Sequence, residues 1–252
     1  MPQLGQRMHD LTKFTLKSMT ECGAELRKLG AGASSMEEVS NRIVRYLYES
    51  FVDAETQQPA FALVRFFKTH PYGELEAELQ QVVAQTIAAM SAQSPDQNLK
   101  CLTLLATAGD QPHWESRQTS QGHQAIPLAS EQIVAQSPMI SQLIKQFGLE
   151  ISSVLSPDPD LLVDLEQKTF NVFHVPMAIA SPYVPAQQEF VIPHGIQSVL
   201  GFGGMLPSGN IIVVILFSKI YIPRDTADMF KTLALNTKMA VLPFDRGVIF
   251  NP

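Results

Sequence analysis

Residues 196–218 read IQSVLGFGGMLPSGNIIVVILFS, and they decide the fold. The stretch 211–217 is unbroken apolar chain, rich in β-branched residues. It is too short for a buried helix and far too short to span a bilayer, which takes about 20 residues. The run 196–206 precedes it, and Pro207-Ser208-Gly209-Asn210 joins the two with the composition of a turn. That is a β-hairpin, so the sheet is at least partly antiparallel. The second strand is apolar at both alternations, so both faces of the sheet are covered. Gly201, Gly203 and Gly204 do not have the G-x-G-x-x-G spacing, and a strand rather than a helix follows them. They are read as strand positions where backbone approaches backbone or ligand.

Outward from the hairpin, residues 169–218 carry one charged side chain, Glu189, so they belong inside. Pro176, Pro182, Pro185 and Pro193 deny them a long helix. This stretch is the expected stability core, and Ile215→Ala should cost about 2–5 kcal/mol. Pro223 opens a final helix with Met229, Phe230, Leu233, Thr237 and Ala240 inward. Upstream, 61–67 and 99–107 read as strands and 74–92 as a helix. His70-Pro71-Tyr72-Gly73 reads as a turn, and 130–148 as helical with Pro138 starting its second part. Ser35-Met36-Glu37-Glu38 has the form of a capping box opening another helix. Residues 3–29 read as one helix with Leu4, Met8, Leu11, Cys22 and Leu29 on a stripe, packed on its own domain or against a second copy. The expected division is a helix in 1–34, a candidate dimerisation element, and a sheet domain in 35–252. The element order predicts an α+β class with a central antiparallel sheet.

The chain has 252 residues, a formal net charge of −6 and 17% charged residues. An acidic balance argues against nucleic acid or an anionic membrane as partner. The N-terminus has no apolar core of a signal peptide, and two cysteines, Cys22 and Cys101, make no disulfide framework. The expected compartment is the cytoplasm. No GxxxxGK[ST], HExxH or GxSxG motif occurs, and the six histidines show no i,i+3 or i,i+4 pair. No metal, cofactor or catalytic pair is therefore read from the residues.

Arg65 is the informative charge. It shares an apolar strand face with Leu63 and Phe67, and a buried guanidinium needs a partner. That partner is an internal carboxylate, backbone carbonyls or an anionic ligand. The polar loop 111–122 holds the only tryptophan, and 170–195 combines low charge with prolines. A pocket between these segments and the sheet would offer Trp114, Arg117, His123, Phe173 and His174, with Arg65 reaching from the sheet. The same loop could instead fill that space with its own side chains.

Several strings resemble the GAF-like input modules at the N-terminus of bacterial sensor proteins. They are ALVRFFKTHPYG (62–73), CLTLLATAGDQPHWESR (101–117), GHQAIPL (122–128), LEQKTFNVFHVP (165–176) and PAQQEFVIPHGIQSVLGFGGMLPSG within 184–219. The resemblance covers about residues 36–244. It implies a GAF-like sheet with helices from both chain ends on one face and a covered pocket on the other. It also implies signal sensing without catalysis, in two-component systems among others, with a small-molecule ligand, a homodimer, and a histidine kinase or another effector as partner. Rival readings are a haem or chromophore sensor using His70, His123 or His174, a structural dimerisation module, and an enzyme with a buried apolar site.

Overall fold

The computed structural model describes residues 8–90, 94–120, 122–158 and 171–251. The architecture is α+β with a central antiparallel sheet, as the hairpin and element order predict. Strand β1 (His9–Asp10) precedes helices α1 (Leu16–Lys28) and α2 (Met36–Ser50), and β2 (Phe51–Val52) leads to β3 (Phe61–Pro71). Helix α3 (Ala77–Met90), β4 (Lys100–Gly109) and β5 (Ala125–Pro127) follow. Three short helices, α4 (Glu131–Ala135), α5 (Pro138–Gln146) and α6 (Ile151–Leu155), come before β6 (Val172–Val175). The hairpin is β7 (Ser198–Met205) and β8 (Ile211–Ser218), and the last helix is α7 (Arg224–Val241).

Six strands form one sheet in the order β5-β4-β3-β8-β7-β6, with every neighbouring pair antiparallel. Between β7 and β8, Gly209 takes a positive φ of 78°, which costs glycine nothing. At Gly203 a side chain would collide with the Ile212 carbonyl, so this glycine is a close backbone approach. One face of the sheet packs on α1, α2 and α7 through Phe66, Val64, Leu216, Phe202 and Phe230, all fully buried. The other face carries Phe67, Ile215, Val213 and Phe173 beneath α4–α6 and residues 176–196. Both faces of β8 are thus covered, as its composition requires.

The helix expected over 3–29 starts instead at Leu16. Thr15 caps it by accepting the Ser18 N–H at 3.2 Å. Upstream, Asp10 accepts the Thr12 N–H at 2.9 Å, a local bond that competes with helix. His9–Asp10 pairs with Phe51–Val52 in parallel, and Leu11 donates to Val52. Leu11 and Phe14 therefore enter the core from a loop, and Leu4 lies outside the described residues. Within α1, Cys22 and Leu26 are fully buried, and the helix packs along α7. Gly30 allows the contact, since a Cβ there would strike the Ala240 carbonyl.

Strand β3 runs on through His70, so the turn expected at 70–73 begins only at Tyr72. Ser35 accepts the Glu38 N–H at 3.0 Å, as a cap should, while Glu38 takes the Ser34 N–H at 2.8 Å. The free N–H groups of Met36 and Glu37 reach the Val248 and Ile249 carbonyls at 3.0 and 2.8 Å. The C-terminal segment 245–251 is thereby strapped across the start of α2.

Candidate functional site

Strand alternation places Arg65 on the face under the loops, between Thr107 of β4 and Ile215 of β8. Gly201 and Phe173 continue the row across β7 and β6. Arg65 is 8% exposed, yet among the described residues no carboxylate meets it. Its one hydrogen bond runs from a terminal nitrogen to Ser120 Oγ at 3.0 Å, and its buried Nε has no partner. The Thr107 hydroxyl beside it, also fully buried, has none either. Burial pushes the Arg65 guanidinium down to about 10, so it is still charged at neutral pH. A buried cation held by one neutral hydroxyl is an expensive arrangement.

His123 follows Gly122 through two left-handed residues, at φ 58° and 73°. Desolvation, then the charge of Arg65, lowers its pKa, so the ring is neutral at pH 7 although much of the residue reaches the surface. One register position along the face, Leu63 lies between Gly109 and Phe217. The Trp114 ring covers Gly109, whose missing Cβ leaves the room. Trp114 meets His194 at 4.7 Å and Phe190 at 5.7 Å between centroids, and Phe190 meets Phe217 at 4.9 Å. An aromatic wall therefore borders the arginine.

Of the residues singled out in the sequence, Arg65 and Phe173 share this face three strands apart, Trp114 packs over Gly109 beside it, and His123 is near enough to Arg65 to feel its charge. Arg117 and His174 do not join them. Arg117 donates to both Glu37 carboxylate oxygens at 2.7 and 2.9 Å, pairs with Glu76 at 2.8 Å, and lies over the Phe250 ring. His174 alternates with Phe173 and so faces the helices. Its Nε2–H donates to the Ile222 carbonyl at 2.9 Å, and burial lowers its pKa. Thr107, Ser120, Phe190 and His194 were missed. Thr107 alone carried a sequence signal, as the polar residue on an apolar strand, but its register against Arg65 is a tertiary fact.

A cleft of about 450 Å³ opens elsewhere, between the end of α3, residues 94–100, Leu128 and α6. It touches the expected cover only at Leu128, and none of the six candidates lines it. Among the described residues no group of three or more His, Cys, Asp or Glu is placed to hold a metal. No helix of the described residues is long and apolar enough to cross a membrane.

No family model matches the chain, and no curated protein matches it. Among solved structures it resembles the free methionine-R-sulfoxide reductase from Neisseria meningitidis in complex with its substrate. The likeness covers 95% of this chain and 96% of that one, at 12% identity and a TM-score of 0.49. This corrects the reading drawn from the resemblance to sensor modules. A non-catalytic input module of two-component proteins, with its haem and dimerisation variants, gains no family support, and the solved structure of the same length is an enzyme. Its likeness is one of fold and gives this chain no activity.

Proposed function

We propose that the chain binds a small molecule bearing a carboxylate or phosphate between the sheet and its loop cover, with Arg65 as the anchor. The observation that carries this reading is the Arg65 guanidinium, 8% exposed, with its Nε unpaired beside the unpaired Thr107 hydroxyl. An oxyanion would accept from both and supply the missing counter-charge. Trp114, Phe190 and Phe217 favour a flat apolar body on that anion.

Neutral His123 is the proton acceptor that feels the Arg65 charge. A step through a protein thiol does not fit. Both cysteines are buried and pushed up to about 12 by that burial, and a thiol reacts as the thiolate.

Trp114, the sole tryptophan, gives the test. Titration with aromatic and aliphatic carboxylates and phosphate monoesters should change its fluorescence and raise the melting temperature. Arg65→Met should abolish both responses. Responses that survive Arg65→Met would overturn the reading. We further propose self-association through Leu235 and Met239 of α7 and Leu242 just past its end, which are 41–45% exposed. A monomer mass by light scattering at tens of micromolar would refute it.

A further inference from the structure

A second pair of basic groups is buried on the opposite face of β3. Lys68 and His70 alternate with Phe67 and Thr69, so they lie on the helix side with Phe66. Lys68 is 1% exposed and His70 is 0% exposed. Among the described residues the Lys68 ammonium makes a single hydrogen bond, 3.3 Å to the carbonyl of its own neighbour Thr69. Among the described residues neither ring nitrogen of His70 makes a hydrogen bond of ordinary geometry, and its nearest acceptor is the backbone of Lys68, which favours the protonated ring slightly. Asp245 is near enough to favour a charge on Lys68. Its carboxylate, however, is taken by the Ser208 N–H and hydroxyl at 2.9 and 2.6 Å.

Burying two polar side chains with almost no partners costs stability, and such groups call for an explanation. What covers them is the strap. The Phe250 ring stacks on His70 with centroids 5.4 Å apart, and the Arg117 guanidinium lies 5.1 Å from the same ring. The strap's polar anchors sit at its ends: Asp245 on Ser208, and residues 248–251 on Ser35, Met36 and Glu37. Within the second set, between Ile249 and Asn251, the half-buried Phe250 is an apolar cover on a basic floor.

We propose that Lys68 and His70 form a second oxyanion site, closed by Phe250, which takes a small phosphate or carboxylate when the C-terminal segment lifts. The Lys68 ammonium and a His70 N–H are the donors, and the anion supplies the acceptor that this side of the strand lacks. Burial pushes Lys68 down to about 8 and His70 well below its ordinary value; the Asp245 and Glu74 carboxylates pull Lys68 back up only in part. The site is independent of Arg65, which lies on the other face.

The test uses the full chain carrying Arg65→Met, so that the other anion site is silent, titrated calorimetrically with inorganic phosphate and with succinate. Phe250→Ala should tighten binding of at least one of them, because the ring no longer competes. Adding Lys68→Met or His70→Asn should then weaken it about tenfold or more, the effect of one lost charge-assisted bond. Binding that ignores Lys68→Met, or none of either anion with Phe250→Ala, overturns the proposal. If Lys68→Met fails to fold, the imidazole nitrogen resonances of His70 in the Phe250→Ala protein decide. They should shift with added anion, and unmoved resonances overturn the site.

Discussion

Arg65 and Arg117 are both buried, and they live in opposite circumstances. Arg117, under the helices, is gripped by Glu37 and Glu76 and stacked on Phe250. Arg65, under the loops, has one serine hydroxyl. The first arrangement ties α2, the 115–124 loop and the C-terminal strap together, and its cation is met by two carboxylates of the chain. The second has no internal purpose that its neighbours reveal. Burial alone therefore does not single out an arginine for the proposed site; burial without a carboxylate is what separates Arg65 from Arg117.

The contrast can be broken by substitution. Arg117→Met should cost about 3 kcal/mol, because it leaves the nearly buried Glu37 carboxylate without its counter-charge. Urea unfolding measures it, and a loss no larger than that of a surface pair, about 1 kcal/mol or less, would make the two arginines alike. Ile215→Ala, which removes the side chain beside Arg65, should cost about 2–5 kcal/mol. A midpoint unchanged by that substitution would make β8 peripheral. Arg65→Met should instead stabilise the ligand-free protein by about 1–3 kcal/mol, since it removes an uncompensated charge from an apolar face. A destabilised variant would mean that Arg65 serves the fold.

The smallest effect is on pH dependence. Burial lowers the pKa of both His70 and His174 in the folded protein below 6.5, while the unfolded chain titrates near 6.5. Below that pH the unfolded state binds more protons, so stability falls as pH drops from about 6.5 toward the folded values. Unfolding midpoints between pH 7.5 and 5 should decline, and His70→Phe should flatten the decline. An unchanged slope would remove His70 from the account.

The alternation of Leu63, Arg65 and Phe67 was enough to put a cation on an apolar face, because strand period is local information. The hairpin 196–218 was legible for the same reason. What the chain conceals is pairing over distance. Nothing near Arg117 in sequence announces Glu37 or Glu76, and nothing near Arg65 announces Ser120. The reading of 3–29 as one helix failed because an apolar stripe also fits a loop whose Leu11 and Phe14 drop into the core. There the local signal was Thr15 with Ser18, a cap inside the supposed helix. His70 was misplaced in a turn because a strand that carries His and Pro at its end resembles its own termination.

The seam between β3 and β8 has a kinetic consequence. It joins residues 61–68 to 212–218, and the first N–H groups of α2 wait for carbonyls at 248 and 249. The β7–β8 hairpin closes through a short turn and β3 pairs with β4 across the α3 connection, but the two pairs meet only after most of the polypeptide has been made. Loop closure over such separations is slow, and rates fall as contacts become less local. The nascent chain therefore carries the bare apolar edge of β3 through most of its synthesis, which makes β8 the last stave in the sheet and the point at which aggregation and folding compete.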